Sequence, residues 1–296
     1  MGWIGGLAEW HEGETTYLSV AFTWKLDEAY TRAVFARSQG RRVVAGGPAL
    51  FLSKMRHRLA DVAEIGQHYP DAISRHNPEA TFASRGCPVG CWFCIVPAME
   101  GRNFTLLHDF PVRPILCDNN LSALPAEYQD HIIARYREAG VVLRDANSGF
   151  EPITFDQDVY HRWKPLLNAG KGPWRFAYDE VSEAKDVKRV MSMLADEPQK
   201  RKRVYVLIGN EPFAECMNRI QEVIDHGCEP HVQPFMKLNA RQRIPHPRHD
   251  WNTQLLADVA RWANGWIWKQ APFAEYKRSR RSRPKERYDG QQGLFF

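Results

Sequence analysis

The sequence lacks any run of about eighteen uncharged apolar residues, the length that a membrane-spanning helix needs. Near its start there is no basic stretch followed by an apolar one, so nothing reads as a secretory leader and a cytoplasmic location is the expectation. Cysteine is scarce: six among 296 residues, three of them within eight positions, too few and too crowded for a disulfide framework. No segment repeats, which excludes solenoids and propellers. Charge of either sign is near balance outside one place. Lys277 to Arg287 (KRSRRSRPKER) carries seven cations and one carboxylate, so a whole-chain charge of +5 leaves the remainder near −1. With 44% hydrophobic residues, the chain has material for a sizeable core.

Residues 1–78 read as a small strand–helix–strand unit with a connector. Tyr17 to Trp24 (YLSVAFTW) is rich in β-formers, Leu26 to Ser38 has apolar residues at helical spacing, and Arg42 to Ala45 leads into the turn signal Gly46-Gly47-Pro48. Residues 51–78 are mixed and polar, as in a helical connector. From Glu79 the pattern alternates. Strands are expected at 79–84, 113–118, 140–145, 174–179, 203–209 and 229–236, with helices at 124–138, 156–168, 183–195, 212–226 and 253–268. Six strands alternating with helices predict an α/β fold, a partial TIM-like (β/α)6 barrel over 79–275, whose functional residues gather at the C-terminal strand ends. Residues 276–296 are expected to be a flexible basic tail.

Ser84 to Arg102 reads SRGCPVGCWFCIVPAMEGR. The thiols of Cys87, Cys91 and Cys94, on one short loop, are suited to three corners of a 4Fe-4S cluster, leaving the fourth iron open for chemistry. The competing reading is structural zinc. Zinc sites close with four ligands, and no second cysteine pair exists, although His108 could be a fourth ligand.

The spacing C-x3-C-x-aromatic-C, with Phe93 in the aromatic place just after the first barrel strand, resembles the signature of the radical S-adenosylmethionine superfamily. The resemblance covers about 79–275. Cys94 to Arg102 is similar to the corresponding loop of methylthiotransferases and of cobalamin-associated radical enzymes, and Arg203 to Gly209 with its following helix resembles the latter group's fifth strand and helix. It implies a 4Fe-4S cluster on Cys87, Cys91 and Cys94, S-adenosyl-L-methionine bound at the open iron, an external electron donor, and a 5′-deoxyadenosyl radical that abstracts hydrogen from a substrate. By position it further implies that Asp118, Asn119 and Asn120 receive the cosubstrate's amino group. Asn147, Glu151 and Asp179 would meet its ribose, and the backbone of Val206 to Gly209, with Phe93, its adenine. The first fifty residues resemble a remnant of a cobalamin-binding unit, but the motif Asp-x-His-x-x-Gly is absent and no bound cobalamin is expected. No cysteine precedes Cys87, which speaks against the second cluster of methylthiotransferases. Cys216 and Cys228 read as small core residues, and Cys117 can face either way from its strand.

Two readings of the tail stand side by side. Its cations at Lys277 to Arg287 suit nucleic acid, or merely keep the chain soluble. Gln291 to Phe296 (QQGLFF) resembles the short peptide that docks on replicative sliding clamps, or folds back on its own domain. The leading expectation is a radical enzyme acting on a nucleic-acid-associated substrate. The alternatives are a non-catalytic iron–sulfur protein that binds nucleic acid or the clamp, and a radical enzyme acting on a small metabolite. No membrane partner is expected.

Overall fold

A computed structural model describes residues 2–66, 69, 71–147 and 149–280. The chain is mixed α/β. Its N-terminal part is a four-stranded sheet in the order β1 (Leu7–Glu12), β2 (Thr15–Val20), β3 (Arg42–Gly46) and β4 (Glu64–Ile65). Helix α1 (Leu26–Ser38) makes the crossover between the parallel pair β2 and β3. It lays Leu26, Ala29, Ala33 and Ala36 on the sheet, the three- and four-residue spacing that keeps side chains on one helix face. The expected strand–helix–strand unit is therefore present. Strand β1 was not expected; it pairs antiparallel with β2 across the Gly13 turn. Trp24 falls in a 3-10 turn instead of the strand. The connector holds α2 (Pro48–Phe51), α3 (Ser53–Ala60) and α4 (Ala72–His76).

Beyond it, two three-stranded parallel sheets run in chain order. The first comprises β5 (Ala80–Thr81), β8 (Ile115–Leu116) and β9 (Asp145–Ala146). Between β5 and β8 lie the antiparallel pair β6 (Ser84–Arg85) and β7 (Thr105–Leu106), with α5 (Val96–Met99) in the intervening loop. Helices α6 (Ala126–Ala139) and α7 (Gln157–Gly170) cover this half. The second sheet is β10 (Trp174–Tyr178), β11 (Lys202–Ile208) and β12 (Glu229–Pro234), joined by α8 (Ala184–Met193) and α9 (Phe213–Asp225) and followed by α10 (Thr253–Asn264) and α11 (Phe273–Arg280). The sheets meet where the Phe150 N–H donates to the Arg175 carbonyl at 2.9 Å and Arg175 grips Asp145 with two bonds of 2.6 Å. The described strands form no closed barrel.

Three expected strands shrink to two residues each. Pro114 has no N–H to extend β8 backwards. Residues 140–144 are lost to β9 because Gly140, at φ 62°, ends α6 in the left-handed conformation. Four of the five helices match their expected spans closely; the fifth, expected to reach 268, stops at Asn264, and Trp266 turns left-handed at φ 53° before a 3-10 turn. Asp156 accepts from the Val159 N–H at 2.9 Å and Asn252 from that of Leu255 at 2.8 Å. Residues 277–280, expected in a flexible tail, complete α11; no glycine or proline interrupts the chain before Pro284. The rest of the basic run and the clamp-like Gln291 to Phe296 lie outside the described residues. No described helix is long and apolar enough to cross a membrane.

Candidate cluster-binding site

The β6–β7 pairing draws together the two ends of the loop that carries Cys87, Cys91 and Cys94. Its backbone needs glycine at the points of closest approach. Gly86 has φ +95°, and a Cβ there would overlap the Asn103 carbonyl; Gly90, at φ +75°, faces the Arg102 guanidinium. The Cys87 N–H donates to the Gly101 carbonyl at 3.2 Å and the Cys94 N–H to that of Cys91 at 3.0 Å. Glu100 then staples the loop. Its carboxylate accepts from the Gly86 N–H at 2.9 Å and the Asn119 amide at 2.7 Å, and pairs with Arg85. Sequence reading quoted Glu100 within the loop Cys94 to Arg102 but gave it no role, because spacing alone does not show which groups its carboxylate reaches.

All three thiols are free and partly exposed. Burial, and then the Glu151 carboxylate, push Cys91 up to about 12, and burial also raises Cys94. Such thiols stay protonated until a metal's charge displaces the proton. The Val96 N–H points at the Cys94 sulfur at 3.4 Å and the Asn120 amide at the Cys87 sulfur at 3.9 Å, contacts that favour a thiolate. Among the described residues, no three His, Cys, Asp or Glu side chains converge as ligands of a single ion. A cluster makes a different demand, since its cysteines bind separate irons and stand further apart. His108, the candidate fourth zinc ligand, packs its ring against Tyr128 and His131 instead. Three thiols on one loop, two of them with N–H donors beside the sulfur, are compatible with a cluster, and His108 does not turn toward them as a fourth zinc ligand.

The residues assigned to the cosubstrate separate into two groups. Asp118 is fully buried and turned to the fold: it accepts from the Ala83 N–H at 2.9 Å and from the Ser84 hydroxyl. Burial raises it to about 6. It shapes the approach to the cysteines and leaves a ligand's ammonium no access. Val206 sits in the middle strand, paired with Tyr178 and Val232, with its side chain in the core. The Gly209 carbonyl is taken by the Arg248 N–H at 3.1 Å. The backbone of Val206 and the Gly209 carbonyl, expected beside the adenine, are thus engaged within the protein. Asn120 caps Ala123 and Ser122. Asn147 donates to the Cys117 sulfur at 4.0 Å, and Cys117 is buried.

The second group stays at the site. Asn119 holds its amide nitrogen on Glu100 and on the Gly86 carbonyl, while its buried Oδ1 has no hydrogen-bond partner among the described residues. Glu151 and Asp179 gather with Glu183 near Cys91, whose thiol all three push upward. Burial, then Glu183, raises Glu151 to about 7 and lifts Asp179 well above the ordinary carboxylate range. Glu183 is itself raised by burial, though it accepts the N–H groups of Asp179 at 2.6 Å and Glu180 at 3.2 Å. Phe93 stands edge-on to Trp92 at 5.3 Å, and Trp92 donates to Glu180 at 2.6 Å. Arg219, fully buried, ties the site's floor by donating to the Leu207 carbonyl at 2.9 Å and to that of Tyr178. Neither Glu183 nor Arg219 carries a sequence signal beyond its place in a helical pattern. In comparison with known proteins, no family model matches the chain and no curated protein matches it.

Proposed function

We propose that this chain is a radical S-adenosylmethionine enzyme, with a 4Fe-4S cluster on Cys87, Cys91 and Cys94, at the C-terminal edge of an open partial barrel formed by the two parallel sheets. The observation that carries the reading is the stapled loop: three free thiols, two with N–H donors aimed at sulfur, held by Glu100 beside the first parallel strand. When bound and reduced, such a cluster supplies the electron that cleaves the cosubstrate's carbon–sulfur bond.

The chain's own residues would do the rest. Of Asp118, Asn119 and Asn120, all assigned to the cosubstrate's amino group, Asn119 has the Oδ1 best placed to accept from it; an unsatisfied buried acceptor gains from meeting a charged donor. Glu151, Asp179 and Glu183, raised by burial and by one another, can share protons and hydrogen-bond the ribose hydroxyls. Phe93, edge-on to Trp92, packs on the loop, while Trp92 stays half open at its mouth. An external donor delivers the electron.

Anaerobically reconstituted protein, reduced with dithionite and given S-adenosylmethionine, is expected to release 5′-deoxyadenosine. Cys91→Ala should lose both the product and most of the iron. Material that refuses iron and sulfide, or wild type that loads a cluster yet releases no 5′-deoxyadenosine, would overturn the proposal.

A further inference from the structure

Residues 237–249 (KLNARQRIPHPRH) leave β12 and carry four cations, two histidines and no carboxylate. Lys237, Arg241, Arg243 and Arg248 are all exposed. Among the described residues, Lys237, Arg241 and Arg248 form no ion pair, although Arg241 shares a cleft with Asp27 and Asp61. The segment is not a loose strand of charge. The Thr23 hydroxyl donates to the carbonyls of Leu238, at 3.2 Å, and Ala240, and the Phe235 N–H donates to the Ile208 carbonyl at 2.8 Å. At its other end the Arg248 guanidinium lies 5.0 Å from the Trp92 ring centre and 4.7 Å from that of Phe235. Trp92, two residues before Cys94, keeps 51% of its surface open although it is a large aromatic on the cysteine loop.

An open indole, an arginine stacked beside it and a run of exposed cations are the components by which proteins hold single-stranded nucleic acid. Bases stack on the rings and phosphates meet the cations. A lipid surface would also engage the exposed Leu238 and Ile244, which a strand held on Trp92 and Arg248 does not need, and an acidic protein would leave the open indole unused. We propose that this rim, from Trp92 and Arg248 to Arg241, binds a nucleic-acid single strand, placing one base on Trp92 at the mouth of the cysteine site. The binding surface stands on its own geometry. That the strand is also what the radical attacks rests on the function proposed above.

The test is fluorescence anisotropy of the full-length protein with a labelled oligothymidylate at several salt concentrations, with a duplex of equal length and heparin as comparators. Wild type should favour the single strand over the duplex. The variant Lys237→Ser/Arg241→Ser/Arg243→Ser should bind more weakly, and its slope of log affinity against log salt should be shallower by about 2. Trp92→Leu should lose about tenfold for the strand, with the salt slope and heparin affinity unchanged. Circular dichroism checks that each variant is folded.

Three results would each overturn the proposal: no strand binding by wild type, a folded triple variant that binds like wild type, or Trp92→Leu weakening strand and heparin equally. Binding needs no cluster, and 5′-deoxyadenosine release needs no strand, so failure of one leaves the other standing.

Discussion

At the scale of single residues, the site depends most on positions with little or no side chain. Gly86 shows this best, since its positive φ and the neighbouring Asn103 carbonyl leave no room for a Cβ. Gly86→Ala is expected to cost about 2 kcal/mol or more in unfolding free energy, from backbone strain plus displacement of the 103–104 strand entry. The same change should lower iron per chain on reconstitution, which elemental analysis reads directly. That Cys87, Cys91 and Cys94 share one short loop was legible from their spacing alone. Asn119 and Asp118 were not separable, because adjacent polar residues at a strand end differ only in which way they turn. Asp118 turned inward to Ala83 and Ser84, and Asn119 kept an acceptor free.

At the scale of elements, the second sheet carries the fold. Strand β11 is paired on both sides over most of its length, and α9 packs Cys216, Ile220 and Val223 against it. Those three positions follow the helical period, so the element and its buried face were readable in advance. Ile220 is completely buried. Ile220→Ala is expected to cost about 2–5 kcal/mol, measured by chemical denaturation, because the surrounding strands cannot collapse into the space. Legibility fell where strands were short. The residues of β5, β8 and β9 look like longer strands because they are apolar, yet apolar runs also serve buried loops, and Pro114 and the Gly140 cap truncate them. The antiparallel β1 was missed because its outward residues, Glu9, His11 and Glu12, dilute its strand pattern.

At the scale of the whole molecule, buried polar contacts tie the N-terminal sheet to the helical connector. His76 in α4 meets the Ser19 hydroxyl of β2 at 2.9 Å, and burial lowers its pKa to about 4. The unfolded chain takes up that proton near pH 6.5 and the folded chain only near pH 4, so His76 withdraws stability as pH falls through that window. Its share is about 3 kcal/mol. Buried carboxylates with raised pKa values, Asp118 and Glu151, act in the opposite sense, and the comparison that isolates His76 is with His76→Asn. The stability gap between wild type and variant should narrow by that amount from pH 7 to pH 4 in urea titrations; a constant gap would refute the assignment. The whole-chain charge concealed a second feature. Summing to near −1 outside the tail, it masked the local row of cations at 237–249, since distant carboxylates cancel on paper but not across a folded surface.

The staple made by Glu100 fastens the cysteine loop with protein groups alone. Many small metal domains are shapeless until their ion arrives. On the function proposed above, a loop fastened in this way would hold its course through repeated loading and loss of iron, whereas Glu100→Ala would leave it slack.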